Sequence, residues 1–254
     1  MKQELAKLLA AFGFFTRLPV PVSVTAGDSL GQTLRYFPMV GLIVGLIGAT
    51  VTELTALALP ASIAIVLGMI ATILATGALH EDGLADVCDG FGGGWDKAQV
   101  LAIMKDSRVG SYALVGVGLI LLLKWNALAE IDVSLGAWTL ACTLLAAHSV
   151  SRLAAVVLTS TLNYARDDTS TKSQAVVQRL SALDWVIAGV TGLVPCLLLP
   201  LNDALVALVA VAVTTLLAGR YFYRRIGGYT GDCLGATQQL GEIAFYLGVL
   251  CSFT

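Results

Sequence analysis

Between His80 and Asp89 the chain places one histidine and four carboxylates: His80, Glu81, Asp82, Asp86 and Asp89. On a helix, Asp82, Asp86 and Asp89 stand at i, i+4 and i+7, which lines all three along one face. Three carboxylates on one face repel each other unless a cation joins them. Hard oxygen donors at this density suit Mg²⁺, Mn²⁺ or Ca²⁺, and Mg²⁺ is commonly shared with substrate phosphates. Glu81, Asp82, Asp86 and Asp89 are therefore the expected metal set. The plain alternative is a solvated acidic turn at a helix end. It is disfavoured because an apolar run ends here, and a helix C-terminus is the wrong end for negative charge.

Other polar residues could serve the same chemistry. Gly90 and Gly92 to Gly94 follow the acids and would form either a phosphate-contacting loop or a helix terminator. Lys105 and Arg108 could bind phosphate oxygens, with Asp106 orienting them, ligating metal or acting as a base. The alternative for the two cations is a basic flank to the next apolar run. Arg152 and His148 lie inside an apolar stretch: an arginine there is a functional candidate for substrate binding, a histidine more simply a satisfied core residue. Asp232, Gln238, Gln239 and Glu242 must face the interior or a wet cavity, and Asp232 is the expected second acidic contribution to the site, on the substrate side. The run from Asn163 to Asp168 is either a further substrate-facing loop or solvated.

The elements that must position these residues follow from composition. Of 254 residues, 57% are apolar and 13% charged, about half the charge of a soluble domain. Mean hydropathy is +0.84. Too few charges exist to cover a globule, so the expected fold is an all-α, polytopic integral membrane bundle forming one domain over 1–254. A net charge of −2 gives no case for nucleic acid. Five scattered cysteines without a CxxC spacing suggest neither a disulfide framework nor a zinc site.

Seven stretches are apolar enough to span, some marginally: about 38–59, 62–79, 110–124, 135–159, 184–200, 203–219 and 233–253. Residues 1–20 look like an amphipathic helix lying at the interface. With the N-terminus cytoplasmic, only Lys124 of the 15 Lys and Arg falls in an outer loop, which sets the orientation. The long polar connections 80–109, 160–183 and 220–232 then share the cytoplasmic side, and the chemistry is expected there.

Several strings are recognisable together. His80-Glu-Asp-Gly-Leu-Ala-Asp-x-x-Asp-Gly-Phe-Gly-Gly-Gly94, Ile103-Met-Lys-Asp-Ser-Arg-Val-Gly110 and Gly228-Tyr-Thr-Gly-Asp-x-Leu-Gly-Ala236 closely resemble the cobalamin synthase family. Phe15-Thr-Arg-Leu-Pro-Val-Pro21 and Tyr36-Phe-Pro-x-Val-Gly41 also look like its N-terminal region. The resemblance implies a Mg²⁺-dependent ribazoletransferase of a bacterial or archaeal inner membrane. A hydroxyl of α-ribazole, or of its 5′-phosphate, would attack the cobinamide-linked phosphorus of adenosylcobinamide-GDP and release GMP. Lys105 and Arg108 would hold the pyrophosphate, and Asp82 or Asp106 is the candidate base. A homo-oligomer is left open. The acidic array is also similar to that of CDP-alcohol phosphotransferases, though Asp86-Val-Cys-Asp89-Gly90 matches only the start of their motif and Ala-Arg is missing. A cation-coupled transporter is less favoured, since its acids would lie at the midplane with access from both sides.

Overall fold

The computed structural model describes residues 2–21, 33–166 and 180–251. Ten α-helices occur among them: α1 (Lys2–Phe15), α2 (Phe37–Ala56), α3 (Ala61–Thr76), α4 (Leu79–Gly93), α5 (Lys97–Ile103), α6 (Ser111–Leu135), α7 (Ala137–Thr161), α8 (Ala182–Leu193), α9 (Leu201–Ile226) and α10 (Gly231–Cys251). Short 3₁₀ turns precede α2 and follow α8. No strand forms among the described residues; one isolated bridge joins Tyr164 to Tyr229. The all-α membrane bundle expected from composition is what the chain forms.

Four helices are long and apolar enough to cross a membrane: Leu34–Ala56, Ser111–Leu135, Ala137–Thr161 and Leu201–Ile226. A fifth arises if α3 and α4, bent by 88°, count as one span. The apolar helix Ala182–Leu198 falls short of that length. Of these, α7 is the bundle's axis and is mostly buried, whereas α6 and α9 are mostly exposed. Large apolar side chains such as Leu114, Leu119, Val209 and Leu216 cover their outer faces, as lipid-facing helices require.

Small residues let α2 close on α7. A Cβ at Gly41 would fall 2.1 Å from the His148 carbonyl oxygen, and one at Gly45 2.7 Å from that of Leu144. Such backbone approach is how helices associate where burial in lipid supplies no driving force. The N-terminal helix is docked on the bundle. Phe15 of α1 stacks on Phe37 with ring centroids 4.1 Å apart, and Arg35 donates to Glu4 of α1 and to Asp184 of α8, both at 2.6 Å.

Lys124 departs from expectation. It was placed in an outer loop, but α6 runs on to Leu135 and buries it at 2% exposure in an ion pair with the fully buried Glu242. The apolar run only seems to end at Lys124, because its partner lies 118 positions away in the sequence. Glu242 also faces His148 Nδ1 at 3.2 Å, and accepts from Tyr246 Oη at 2.9 Å and Gln238 Nε2 at 2.6 Å. The core histidine thus sits in a buried ionic network. Lys172, Arg179, Asp167 and Asp168, which entered the topology argument and the loop reading, lie outside the described residues.

Candidate active site

The site is built where α3 gives way to α4. Gly77 ends α3 in the left-handed region (φ 65°), and Ala78 follows at φ 58°. Two successive left-handed residues swing the chain through 88° and start a new helix at Leu79. Ala78 is the only non-glycine with positive φ among the described residues. That conformation costs about 1–2 kcal/mol, and strain of this kind collects at functional sites.

This turn corrects the sequence reading in one respect. The acids were expected at the C-terminus of the second span; instead Glu81 and Asp82 occupy the first turn of α4. There the helix dipole favours negative charge rather than opposing it. The one-face spacing of Asp82, Asp86 and Asp89 holds, since all three lie within α4.

Opposite stands the start of α10. A Cβ at Gly83 would come within 3.0 Å of the Asp232 carbonyl oxygen, and one at Gly235 within 3.2 Å of that of His80. The two helices cross glycine on glycine, which sets Asp232 beside the acidic face. Arg166 completes this side, its Nη2 donating to Asp232 Oδ2 at 2.7 Å. The Tyr164–Tyr229 bridge aims it: Tyr229 N–H donates to Asn163 O at 2.9 Å and Ala165 N–H to Tyr229 O at 2.8 Å. Sequence reasoning missed Arg166 as a site residue. Its signal was the polar run after α7, which had been read as either substrate-facing or solvated.

The four expected metal residues have different partners. Asp82 is exposed, and Asp86 is half-buried. Burial, then the Asp232 and Asp82 carboxylates, push Asp86 up to about 7, on a helix that turns away from the span. Glu81 Oε1 accepts from Gln239 Nε2 at 2.9 Å, while its Oε2 is buried without a partner among the described residues. Asp89 has both oxygens engaged: Gly110 N–H donates to Oδ2 at 2.6 Å and Ala113 N–H to Oδ1 at 2.9 Å, capping the first turn of α6. Among the described residues no three His, Cys, Asp or Glu side chains converge closely enough to hold a metal by themselves. The donors remain hard oxygens, crowded enough to repel one another, and Mg²⁺ is typically held by only one or two carboxylates, with water and substrate phosphates supplying the rest.

The basic candidates divide likewise. Lys105 is exposed on the connection to α6. Arg108 is 87% exposed and forms a bidentate pair with Asp106, which it holds down at about 2. A carboxylate held so low is a weak proton acceptor. Arg152 lies in the core at 1% exposure, donating to the His148 carbonyl at 2.8 Å, with its guanidinium 5.6 Å from the centre of the Phe37 ring. Of the glycine run, Gly90, Gly92 and Gly93 lie within α4 and Gly94 is its C-cap. Arg225 Nη2 donates to Gly94 O at 2.6 Å at the end of α4, and Gly90 leaves room for Met104.

Two cavities meet at Asp82. One, of about 190 Å³, is mostly apolar and includes Phe15, Phe37 and His80 in its wall. The other, of about 370 Å³, is more polar and bordered by Arg17, Thr76 and Gly77. The carboxylate therefore stands between an apolar and a polar compartment, with Asp232 reaching the apolar one.

The chain has close relatives. A family model described as cobalamin-5-phosphate synthase matches residues 7–250. The adenosylcobinamide-GDP ribazoletransferase of Shewanella frigidimarina is 45% identical over 249 residues, which cover 98% of this chain and 95% of that protein. Those of Shewanella amazonensis and Shewanella oneidensis are 44% and 43% identical, each over 98% of this chain and 96% and 95% of theirs. No solved structure matches this chain.

Proposed function

The chain belongs to the cobalamin-5-phosphate synthase family, and from that membership we infer that it is an adenosylcobinamide-GDP ribazoletransferase. A hydroxyl oxygen of α-ribazole, or of its 5′-phosphate, forms a bond to the cobinamide-linked phosphorus. The bond from that phosphorus to the GMP oxygen breaks, and the hydroxyl proton passes to a carboxylate. The observation that supports this reading best is the acidic N-terminus of α4 set against Asp232 and Arg166, at the junction of an apolar and a polar cavity. A family match along nearly the whole chain decides against a CDP-alcohol phosphotransferase or a cation-coupled transporter.

The residues divide the work as follows. We assign the proton to Asp82, whose exposure at both cavities supports that role, over Asp106, which is paired to Arg108. Asp82 and Asp86 would hold Mg²⁺, with the free oxygen of Glu81 and with Asp232 nearby. When bound, Mg²⁺ supplies charge neutralisation on the pyrophosphate and on the departing GMP. Arg166 fixes Asp232, and Lys105 and Arg17 offer cations for phosphate oxygens. This face would then meet the cytoplasm of a bacterial inner membrane, a reading that the basic residues around it support.

Purified protein in detergent, given adenosylcobinamide-GDP, α-ribazole and Mg²⁺, should release GMP, and EDTA should stop the reaction until Mg²⁺ is restored. Release of CMP from CDP-diacylglycerol and a lipid alcohol, with no GMP from the cobinamide substrate, overturns the assignment.

A further inference from the structure

We propose that the 190 Å³ cavity between α1, α2, α4 and α10 is the binding site for the aromatic base of the attacking ribazole nucleoside, with His80 as its hydrogen-bonding contact. The proposal rests on the ribazoletransferase reading and adds where one substrate is held.

Size comes first. An apolar cavity of about 150 Å³ accommodates a benzene ring, so 190 Å³ suits one small fused ring system. A corrinoid macrocycle is far too large for it. Shape and chemistry agree. Phe15 stacks on Phe37 at 4.1 Å, and the Phe37 ring in turn lies 15° from parallel to His80 at 5.7 Å. This aromatic series, with Leu79 and Leu234 beside it, suits a planar, weakly polar ring such as a benzimidazole.

One polar atom in this wall is unmatched. His80 is 3% exposed, and its Nε2 finds no hydrogen-bond partner among the described residues. Buried polar side chains nearly always have partners, and a small displacement of the ring toward the cavity would let a ligand supply this one. The same feature speaks against guanine. A guanine edge carries several donors and acceptors, and burying them against phenylalanine and leucine would leave most unsatisfied. Asp82 closes the argument, because it borders the polar cavity as well. A base seated on the apolar side brings its ribose to that carboxylate.

The test uses the full chain in detergent, with each substrate varied in a GMP-release assay and α-ribazole alone titrated by calorimetry. His80→Leu keeps an apolar side chain without the nitrogen, and Leu234→Trp fills the cavity from α10. Each should raise the KM for α-ribazole and weaken its calorimetric binding about tenfold. The KM for adenosylcobinamide-GDP should stay unchanged, and guanosine should not compete. A rise in KM for the GDP substrate instead would place guanine in the cavity, and no change in either KM would empty the proposal; both overturn it. Should the variants fail to fold, the unaltered protein still decides. A ribazole whose base carries one further fused ring should bind at least about tenfold more weakly, and equal binding refutes the assignment. If the unaltered protein releases no GMP yet binds α-ribazole, the transferase reading fails while the cavity assignment stands.

Discussion

Asp89 offers the sharpest separation of structural from chemical roles within the acidic helix. Spacing alone groups it with Asp82 and Asp86, yet its two oxygens accept from Gly110 N–H at 2.6 Å and Ala113 N–H at 2.9 Å. Gly110 is the N-cap of α6 and has no side chain to offer, and Ala113 lies in the helix's first turn. Asp89→Ala would leave both N–H groups without an acceptor. A lost cap costs about 0.5–2 kcal/mol, and loss of negative charge at the helix N-terminus adds about 0.3–1 kcal/mol. The sum is about 1–3 kcal/mol, which lowers the unfolding midpoint of a chain this size by roughly 2–12 °C. Asp89→Asn keeps one acceptor oxygen, so its fall should be about half as large.

Turnover should follow a different order. Assayed well below the unfolding midpoint, Asp89→Asn should keep GMP release within about threefold of the parent, since a cap lost at partial cost leaves the helix formed. Asp82→Asn should reduce it at least about a hundredfold, because a group acting on the reacting atoms costs several kcal/mol in the transition state. The assay is steady-state GMP release across a Mg²⁺ titration, paired with thermal unfolding of the same preparations in detergent. An Asp89→Asn protein with an unchanged midpoint, a hundredfold loss of rate and a raised Mg²⁺ requirement would refute the capping role and return Asp89 to the metal set.

Three further outcomes are expected. Lys124→Met strands Glu242 in the core and should destabilise the protein by about 3–5 kcal/mol, whereas Lys124→Met with Glu242→Met should approach the parent; thermal unfolding of both decides, and a double variant as unstable as the single refutes the pairing. Arg166→Gln removes the Asp232 contact at 2.7 Å and should lower GMP release at least about tenfold with helical content intact by circular dichroism; an unchanged rate would show that Asp232 needs no fixing. The Tyr36 hydroxyl, and beyond it Arg35, hold Glu4 below its ordinary 4.5, so its contribution to docking α1 is complete above that pH and is lost as pH falls through the lowered value. Hydrogen exchange along α1 should therefore be flat from pH 8 to 6, after correction for intrinsic rates, and rise only in acid; a rise between 8 and 6 would contradict it.

What the sequence revealed and what it concealed follow from one distinction. Burial leaves a mark at each position: Gln238, Gln239 and Glu242 in an apolar run must turn inward, and they do, at 0%, 3% and 0% exposure. Pairing leaves no such mark. Lys124 looks like the end of a span because its partner is distant in the chain, and only the packing of α10 on α6 supplies Glu242. Arg166 and Asp232 are 66 positions apart, and although Asp232 alone reads as a site residue, nothing local names Arg166 as its partner. The turn at Gly77 and Ala78 is concealed for another reason. The glycine was a fair sign of a helix end, but an alanine at φ 58° runs against local preference, and the surrounding fold must repay its strain. That second left-handed residue is what exchanges the C-terminus of α3 for the N-terminus of α4. It thereby moves Glu81 and Asp82 from an electrostatic liability at a helix end into a first turn that the new helix dipole favours. The acids were therefore legible by density alone, while the reason they are tolerated lay in one residue whose sequence identity argues against its conformation.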